Sequence, residues 1–302
     1  VTSAPRAAPF AVLLKLVRFA HTLFAMPYAV AGYALAVRAE TASGGAGPGP
    51  ATFVKIVLAM VTARTAAMAF NRLVDREFDA RNPRTVGRPN VTGEAGPGFM
   101  RATVVVASVA FVAVSYALNP LCGGLSFVAL AVVLGYSYTK RFTPLAHFVL
   151  GLGLGLAPVG AWLAVRGAFD GASLGVVAMG AAVLFWTAGF DVIYACQDAE
   201  IDRREGLRSV PADCGVPRAL RIARFCHVLV PVCLAASAVL AGLGPFYWAG
   251  TVAAAALLAY EHRLVRPDDL TRVNAAFFNV NVAVAFVVMT AVLLDLWRGG
   301  AA

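Results

Sequence analysis

This chain is poor in charge. Acidic and basic residues make up 14% of its 302 positions, and lysine occurs only at Lys15, Lys55 and Lys140. With 60% hydrophobic residues and a mean hydropathy of +0.76, a soluble enzyme on a single anchor is excluded, and an integral membrane protein is expected. The scarcity of lysine beside abundant arginine and alanine reads as composition bias without functional content. Cysteine is also scarce. The five residues Cys122, Cys196, Cys214, Cys226 and Cys233 are odd in number and contain no CxxC pair, which argues against a disulfide framework or a zinc site. Small buried hydrophobes is the expectation for them. Nor do His147, His227 and His262 have metal-ligand spacing. No cleavable leader is evident, because the first apolar run continues past Pro27 to Val37.

What is present is a series of apolar segments separated by two kinds of connection. Residues 1–10 read as a disordered lead and 11–298 as one domain. Spans are expected near 11–37, 51–71, 99–118, 121–138, 145–165, 174–197, 219–242, 246–261 and 273–296. The fold class is therefore an all-α integral membrane bundle of about nine transmembrane helices with cytoplasmic cap loops. Of the 25 Lys and Arg, 21 fall in the N-terminal segment and around the loops after the second, fourth, sixth and eighth spans. Only Arg38, Lys55, Arg166 and Arg298 fall on the other side. This asymmetry places the N-terminus and the long loops in the cytoplasm and the C-terminus outside, in a multi-pass protein of the cell membrane. It also accounts for the formal charge of +9 without nucleic acid, and no obligate protein partner is called for.

The few acidic residues are concentrated where two apolar spans end. In NRLVDREFD, Asn71, Asp75 and Asp79 recur at i, i+4 and i+8. At about 100° per residue they share one helical face, and Arg64 lies on the same stripe nearer the membrane centre. In DVIYACQDAEID, Asp191, Tyr194, Asp198 and Asp202 form a second stripe. Like charges this close repel, and facing oxygen ligands suit Mg²⁺ shared with substrate phosphates. The basic loops offer Arg72, Arg84, Arg88, Lys140 and Arg141 for the remaining phosphate oxygens. A diphosphate site under an apolar cavity points to a lipid diphosphate, ionised at an allylic C–O bond beneath a lid that excludes water. The two long polar loops are the lid candidates. A faint repeat links the halves: Asn71-xxx-Asp75-xxx-Asp79 returns as Tyr194-xxx-Asp198-xxx-Asp202 at an offset of 123.

The motifs NRxxDxxxDxxNPRTxxRP and DxxYAxQDxxxDxxxGxxS, with YSYTKRFT between spans four and five, resemble the signatures of the UbiA superfamily of intramembrane aromatic prenyltransferases. The resemblance covers nearly the whole chain. It implies a nine-helix bundle with a central cavity, Mg²⁺-dependent ionisation of a polyprenyl diphosphate and C-alkylation of an aromatic ring. By position, Asn71, Asp75 and Asp79 match the first metal–diphosphate motif, and Asp198 and Asp202 the second. Asp191 and Tyr194 match the part nearest the ring, so the catalytic set implied is Asp75, Asp198, Asp191 and Tyr194. RFAHTLFAMPYA, ARTAAMAFNRLVD, LAPVGAW and AGFDVIYACQD look closest to the prenyltransferases of the futalosine route to menaquinone. The acceptor implied is a dihydroxynaphthoate or its relative 4-hydroxybenzoate. Arg64 and Arg18 are candidates for its carboxylate, and His21 and Asp191 for the cavity around it. One departure bears on the first lid: after Arg88 the chain reads PNVTGE, where the family commonly reads something like LPxG.

Phe24, Tyr28, Trp162, Trp186 and Phe190 are candidates to face a carbocation. The same residues also admit two other readings. One keeps the prenyl chemistry with haem, a chlorophyll precursor or a ribose phosphate as acceptor. The other is an ion-coupled secondary transporter. Against the transporter, the charges sit at the cytoplasmic ends of spans and not at broken helices in mid-membrane.

Overall fold

A computed structural model describes residues 9–17 and 22–299. Arg18, His21 and nearly all of the expected lead lie outside the described residues. Among the described residues the chain is helical, without a strand. The elements are α1 (Pro9–Val17), α2 (Thr22–Ala42), α3 (Pro50–Val74), α4 (Arg76–Arg81), α5 (Pro89–Thr92), α6 (Pro97–Leu118), α7 (Pro120–Thr139), α8 (Ala146–Arg166), α9 (Ser173–Ala195), α10 (Ala199–Arg204), α11 (Val210–Cys214), α12 (Val216–Ala241), α13 (Pro245–Leu264), α14 (Val273–Ala275) and α15 (Asn281–Gly299).

Proline opens α3, α6, α7 and α13 at the first helical position. There its fixed φ suits the helix and its missing N–H leaves nothing unpaired. The turn between α6 and α7 is pinned by Asn119. Its side chain accepts from Cys122 N at 2.9 Å and donates to Leu163 O at 2.8 Å. Among the described residues, seven segments are long and apolar enough to cross a membrane. The remaining two expected crossings correspond to α2 and α13, of 21 and 20 residues; for these, helix length is the argument. The first expected span is corrected. Its beginning is the separate helix α1, which at nine residues is far too short to cross. Val12 and Leu16 of α1 bury against Ala69, Ala95 and Met100, and Lys15 pairs with Glu94 at 3.1 Å, so α1 rests on the first long loop.

The bundle is organised around α9. Fifteen of its 23 residues are buried, against five of 25 in α3. It packs between α8 and α12. The approach of α8 to α9 depends on glycine: a Cβ on Gly155 would come within 2.6 Å of Gly180 O, and one on Gly180 within 2.8 Å of Gly155 O. In lipid, where apolar burial supplies no drive to associate, such close backbone packing is what holds helices together. Outward-facing valines such as Val106 on α6, Val232 and Val239 on α12 and Val252 on α13 are exposed and suit an apolar solvent. Polar ties cross the core as well. Trp186 Nε1 donates to Asn281 Oδ1 at 2.6 Å, and Asn281 Nδ2 donates to Glu261 Oε1 at 2.9 Å, linking α9, α15 and α13. Asn281 also bonds Phe277 O at 3.1 Å, bracing a π-helical turn, Ala276–Val280, that projects Phe277 toward the interior.

Candidate active site

The two acidic segments have the same local structure. α3 stops at Val74, Asp75 adopts φ −92°, ψ 9°, and α4 begins at Arg76. α9 stops at Ala195, a 3-10 turn follows, Asp198 adopts φ −104°, ψ 0°, and α10 begins at Ala199. Both aspartates occupy the sparsely populated bridge region, and the two short helices match at the sequence offset of 123. The expectation of continuous helical stripes is therefore corrected: each helix bends at its central aspartate. In the first segment the i to i+4 ladder survives the bend, with Asp75 N donating to Asn71 O at 2.9 Å and Asp79 N to Asp75 O at 2.8 Å. This keeps the three side chains together. In the second the tighter 3-10 turn changes the register, so Asp191 and Tyr194 stay on α9 while Asp202 moves onto α10.

Between the corners lies a cavity of about 620 Å³. Asn71, Asp75 and Asp79 line one wall, and Asp191, Tyr194, Asp198 and Asp202 the other. Arg72, Arg84, Arg88, Lys140 and Arg141 crowd the mouth, and Arg64 lies deeper, seven residues before Asn71. Below them the walls are apolar, including Ile56, Met60, Leu154 and Ala157. Thus all the site residues expected from sequence are brought to one cavity except Arg18 and His21, which lie outside the described residues.

Each carboxylate at the mouth has a basic partner. Arg84 grips Asp198 with two nitrogens, Nε to Oδ1 at 2.9 Å and Nη2 to Oδ2, and its Nη1 donates to the Tyr194 hydroxyl at 2.9 Å. Arg88 Nη1 donates to Asp79 Oδ1 at 2.6 Å, with Arg72 Nη1 3.8 Å from Asp79 Oδ2. Lys140 Nζ lies 3.4 Å from Asp202 Oδ2, and Arg141 Nη2 3.9 Å from Asp75 Oδ1. Burial opposes the charge on Lys140, but Asp202 and the neighbouring aspartates outweigh it and raise its pKa. Asp75 shows the opposite balance: burial, then the adjacent Asp79, push its carboxyl up to about 6. Arg72 is itself buried and bonds Asn71 Oδ1 at 3.3 Å, so it also braces the first corner from behind.

The donor set suits a divalent cation in a particular way. No group of three or more His, Cys, Asp or Glu is gathered for a metal among the described residues. An all-protein cage is thus not built. A hard cation held by one or two carboxylates, Asn71 and substrate phosphate oxygens fits these residues, and this is the usual manner for Mg²⁺. The crowding of Asp75 against Asp79 is what such a cation relieves.

Three polar residues at the site carried no role in the sequence reading. Asn82 Nδ2 donates to Asp198 Oδ1 at 3.1 Å. It stands inside the quoted motif, at DxxNPR, which was the available signal. Asn90, buried at 1% exposure, donates from Nδ2 to Asp79 Oδ2 at 2.9 Å and to Arg72 O at 3.1 Å. It belongs to PNVTGE, the segment that departs from the family pattern. That segment forms α5, closed by Gly93 at φ 86°, a left-handed conformation that favours glycine. His147, set aside for lack of ligand spacing, places Nδ1 2.6 Å from Asp191 Oδ2; its only signal was its place seven residues after Lys140. Among the aromatic candidates, Phe24 and Phe190 line the cavity and are joined by Phe277, which stacks 4.3 Å from the Tyr194 ring. Tyr28, Trp162 and Trp186 are corrected: they are packed in the core behind it.

An all-helical membrane fold with paired acidic corners over an apolar cavity defines a polytopic membrane enzyme acting on an anionic, lipid-like substrate. The sequence profile of the UbiA prenyltransferase family matches residues 18–286. A 4-hydroxybenzoate octaprenyltransferase of Aeromonas salmonicida is 33% identical over 244 residues, covering 80% of this chain and 82% of the relative. Its counterpart in Aeromonas hydrophila is 31% identical, covering 78% and 81%. The apo structure of a UbiA homolog from Aeropyrum pernix K1 superposes with a TM-score of 0.80 at 32% identity, covering 91% of this chain and 98% of that one. A UbiA homolog from Archaeoglobus fulgidus bound to DMAPP and Mg²⁺ shares the fold, with a TM-score of 0.66 at 19% identity over 92% of this chain and 99% of that one. The chain belongs to the UbiA prenyltransferase family, and it is a transferase.

Proposed function

We propose that this protein transfers a polyprenyl group from a polyprenyl diphosphate to a hydroxylated aromatic carboxylic acid, 4-hydroxybenzoate or a dihydroxynaphthoate, in quinone biosynthesis. The observation that carries this reading is the convergence of two acidic corners and five basic side chains at the polar mouth of an apolar cavity. Asn71, Asp75, Asp79, Asp198 and Asp202 would hold Mg²⁺, which when bound supplies charge neutralisation on the departing diphosphate. Arg84, Arg88, Lys140 and Arg141 exchange their carboxylate partners for phosphate oxygens and stabilise the charge that develops as the allylic C–O bond breaks. The bonding pair leaves with the diphosphate, and a ring carbon of the acceptor closes the new C–C bond. Phe24, Phe190 and Phe277 present ring faces and edges along the path of the allylic cation, and the apolar walls keep water from capturing it. Arg64, which lines the cavity on α3, would bind the acceptor carboxylate.

The names of the curated relatives support the hydroxybenzoate acceptor, and the motifs around residues 18–29 and 156–162 support the naphthoate. The charge asymmetry supports a nine-crossing domain in the cell membrane, with the N-terminus and the active-site loops cytoplasmic and the C-terminus outside. The test is an acceptor screen with purified protein, Mg²⁺ and labelled polyprenyl diphosphate. 4-Hydroxybenzoate, 1,4-dihydroxy-2-naphthoate and 1,4-dihydroxy-6-naphthoate are offered in parallel, and product mass is the readout. Prenylation of one of the three is expected. Diphosphate release without transfer to any of them sinks the aromatic-acid reading.

A further inference from the structure

Transfer to an aromatic ring leaves a problem that the metal corners do not solve. Once the allylic carbon has bonded to the ring, the same ring carbon still carries its hydrogen, and aromaticity returns only when a base removes that proton. The base must face the cavity and be held by a group other than the basic side chains that bind the diphosphate. Asp191 meets these requirements by position. It lines the cavity, it is one of the three aspartates on the second wall and corner, and among them it alone has an imidazole as its hydrogen-bond partner.

That partner is His147, fully buried on α8, with Nδ1 2.6 Å from Asp191 Oδ2. On its far side, Nε2 lies 3.4 Å from Val210 N at the start of α11. An amide N–H can only donate, so Nε2 is the accepting nitrogen and the ring proton resides on Nδ1, directed at Asp191. The pair is held by rigid packing. His147 lies one helical turn before Gly151, whose absent side chain lets α8 touch the backbone of α9 at Leu184 O. Asp191 follows Leu184 by seven residues on the same α9. Asp191 Oδ1 has no protein partner among the described residues and is available to the cavity.

We propose that His147 and Asp191 form the proton-accepting pair of the transfer step, a role that rests on the aromatic acceptor proposed above. Asp191 takes the proton from the alkylated ring carbon. The C–H bonding pair returns to the ring, and the proton later passes to solvent after the products leave. His147 is a positioning residue: it fixes the orientation of the carboxylate and keeps Oδ2 occupied so that Oδ1 faces the ring. Its tautomer depends on Val210, which belongs to the second long loop. That loop also docks on the short basic turn between α7 and α8 through Arg208 N donating to Lys140 O at 2.6 Å. The base is therefore aligned only when the second loop is seated, which couples closure over the diphosphate to readiness for proton removal.

The test compares His147→Met, His147→Gln and Val210→Pro with the full-length wild-type protein in nanodiscs, using ordinary and ring-deuterated acceptor. Methionine fills the space without hydrogen bonds, glutamine can donate to Asp191 and accept from Val210, and proline removes the amide donor while keeping an apolar side chain at the first position of α11. The expected result for methionine is a loss of kcat of about 100-fold, at the lower end of general-base contributions. Its KM for polyprenyl diphosphate should be unchanged, and a ring-deuterium isotope effect should appear that the wild type lacks. Glutamine should restore most of kcat and abolish the isotope effect. Val210→Pro should show a smaller loss with the isotope effect present, and this arm decides the matter if the methionine protein does not fold. Unchanged kcat in methionine and proline variants, or losses without an isotope effect, overturns the pair. A wild-type protein that prenylates no aromatic acid overturns the functional reading first, and the pair's role falls with it.

Discussion

Arg84 and Asp198 stand 114 residues apart in sequence and meet in a two-nitrogen grip across the mouth of the cavity. The arginine comes from the first long loop and the aspartate from the bend after α9, so this contact ties the two acidic corners into one site. Because Asp198 is buried, the pair is stable only while its hydrogen bonds are complete. A diphosphate arriving at the mouth offers Arg84 a second, planar-compatible anion.

Arg84→Lys keeps the charge and loses the fork. We expect kcat/KM for polyprenyl diphosphate to fall by about 10- to 100-fold, the range of one to two charge-assisted hydrogen bonds. The steady-state kinetics of the purified variant checks this, and an unchanged value would show that Arg84 serves only as a point charge.

Asn90→Leu should loosen the first lid. The amide satisfies Asp79 Oδ2 and Arg72 O from a buried position, and its loss leaves both short of a partner at a cost of about 1–3 kcal/mol. The expected readouts are a lower Tm in detergent and faster proteolysis within residues 82–96. An unaltered Tm would contradict the assigned bonds.

Asn281→Ala removes the bridge between Trp186 Nε1 and Glu261 Oε1 and exposes a buried glutamate to apolar surroundings. Destabilisation of about 1–3 kcal/mol is expected, and at least as much in the Asn281→Asp variant, which still accepts from Trp186 but sets a second carboxylate against Glu261. Thermal unfolding of both variants provides the comparison.

Gly155→Val should separate α8 from α9, because even a Cβ at this position meets Gly180 O at 2.6 Å. A loss of activity at least as large as the loss of stability is expected, since the same interface sets His147 against Asp191. Full activity in a folded Gly155→Val protein would mean that the helices tolerate a wider spacing.

The legible and illegible parts of the site differ for physical reasons. Asn71, Asp75 and Asp79 could be grouped because the i, i+4 period keeps them together whether or not the helix bends. The bend at Asp75 was hidden for the same reason, since the backbone bonds on either side of it are those of a helix. The bend at Asp198 had a real effect on register, and no residue type before it announces a 3-10 turn. Asn90 was invisible because an amide in a loop has no period; only folding brings it under Asp79. His147 was passed over because metal-ligand spacing was the criterion, whereas its partner is a carboxylate 44 residues away. All five candidate rings are buried, but only Phe24 and Phe190 line the cavity, and which buried ring borders a cavity cannot be read from hydrophobicity that extends all round the helix. The long apolar runs themselves were the most legible feature, because membrane thickness constrains their length directly.

The central claim is that both acidic corners act together on one diphosphate. Separate Asp75→Asn and Asp198→Asn proteins, assayed for prenyl transfer in membranes at limiting Mg²⁺, test it most directly. The account predicts that each substitution alone reduces transfer by about 100-fold or more, as expected when a group stabilising transition-state charge is lost, with the protein still folded. Near-wild-type transfer by either variant would contradict the two-corner site.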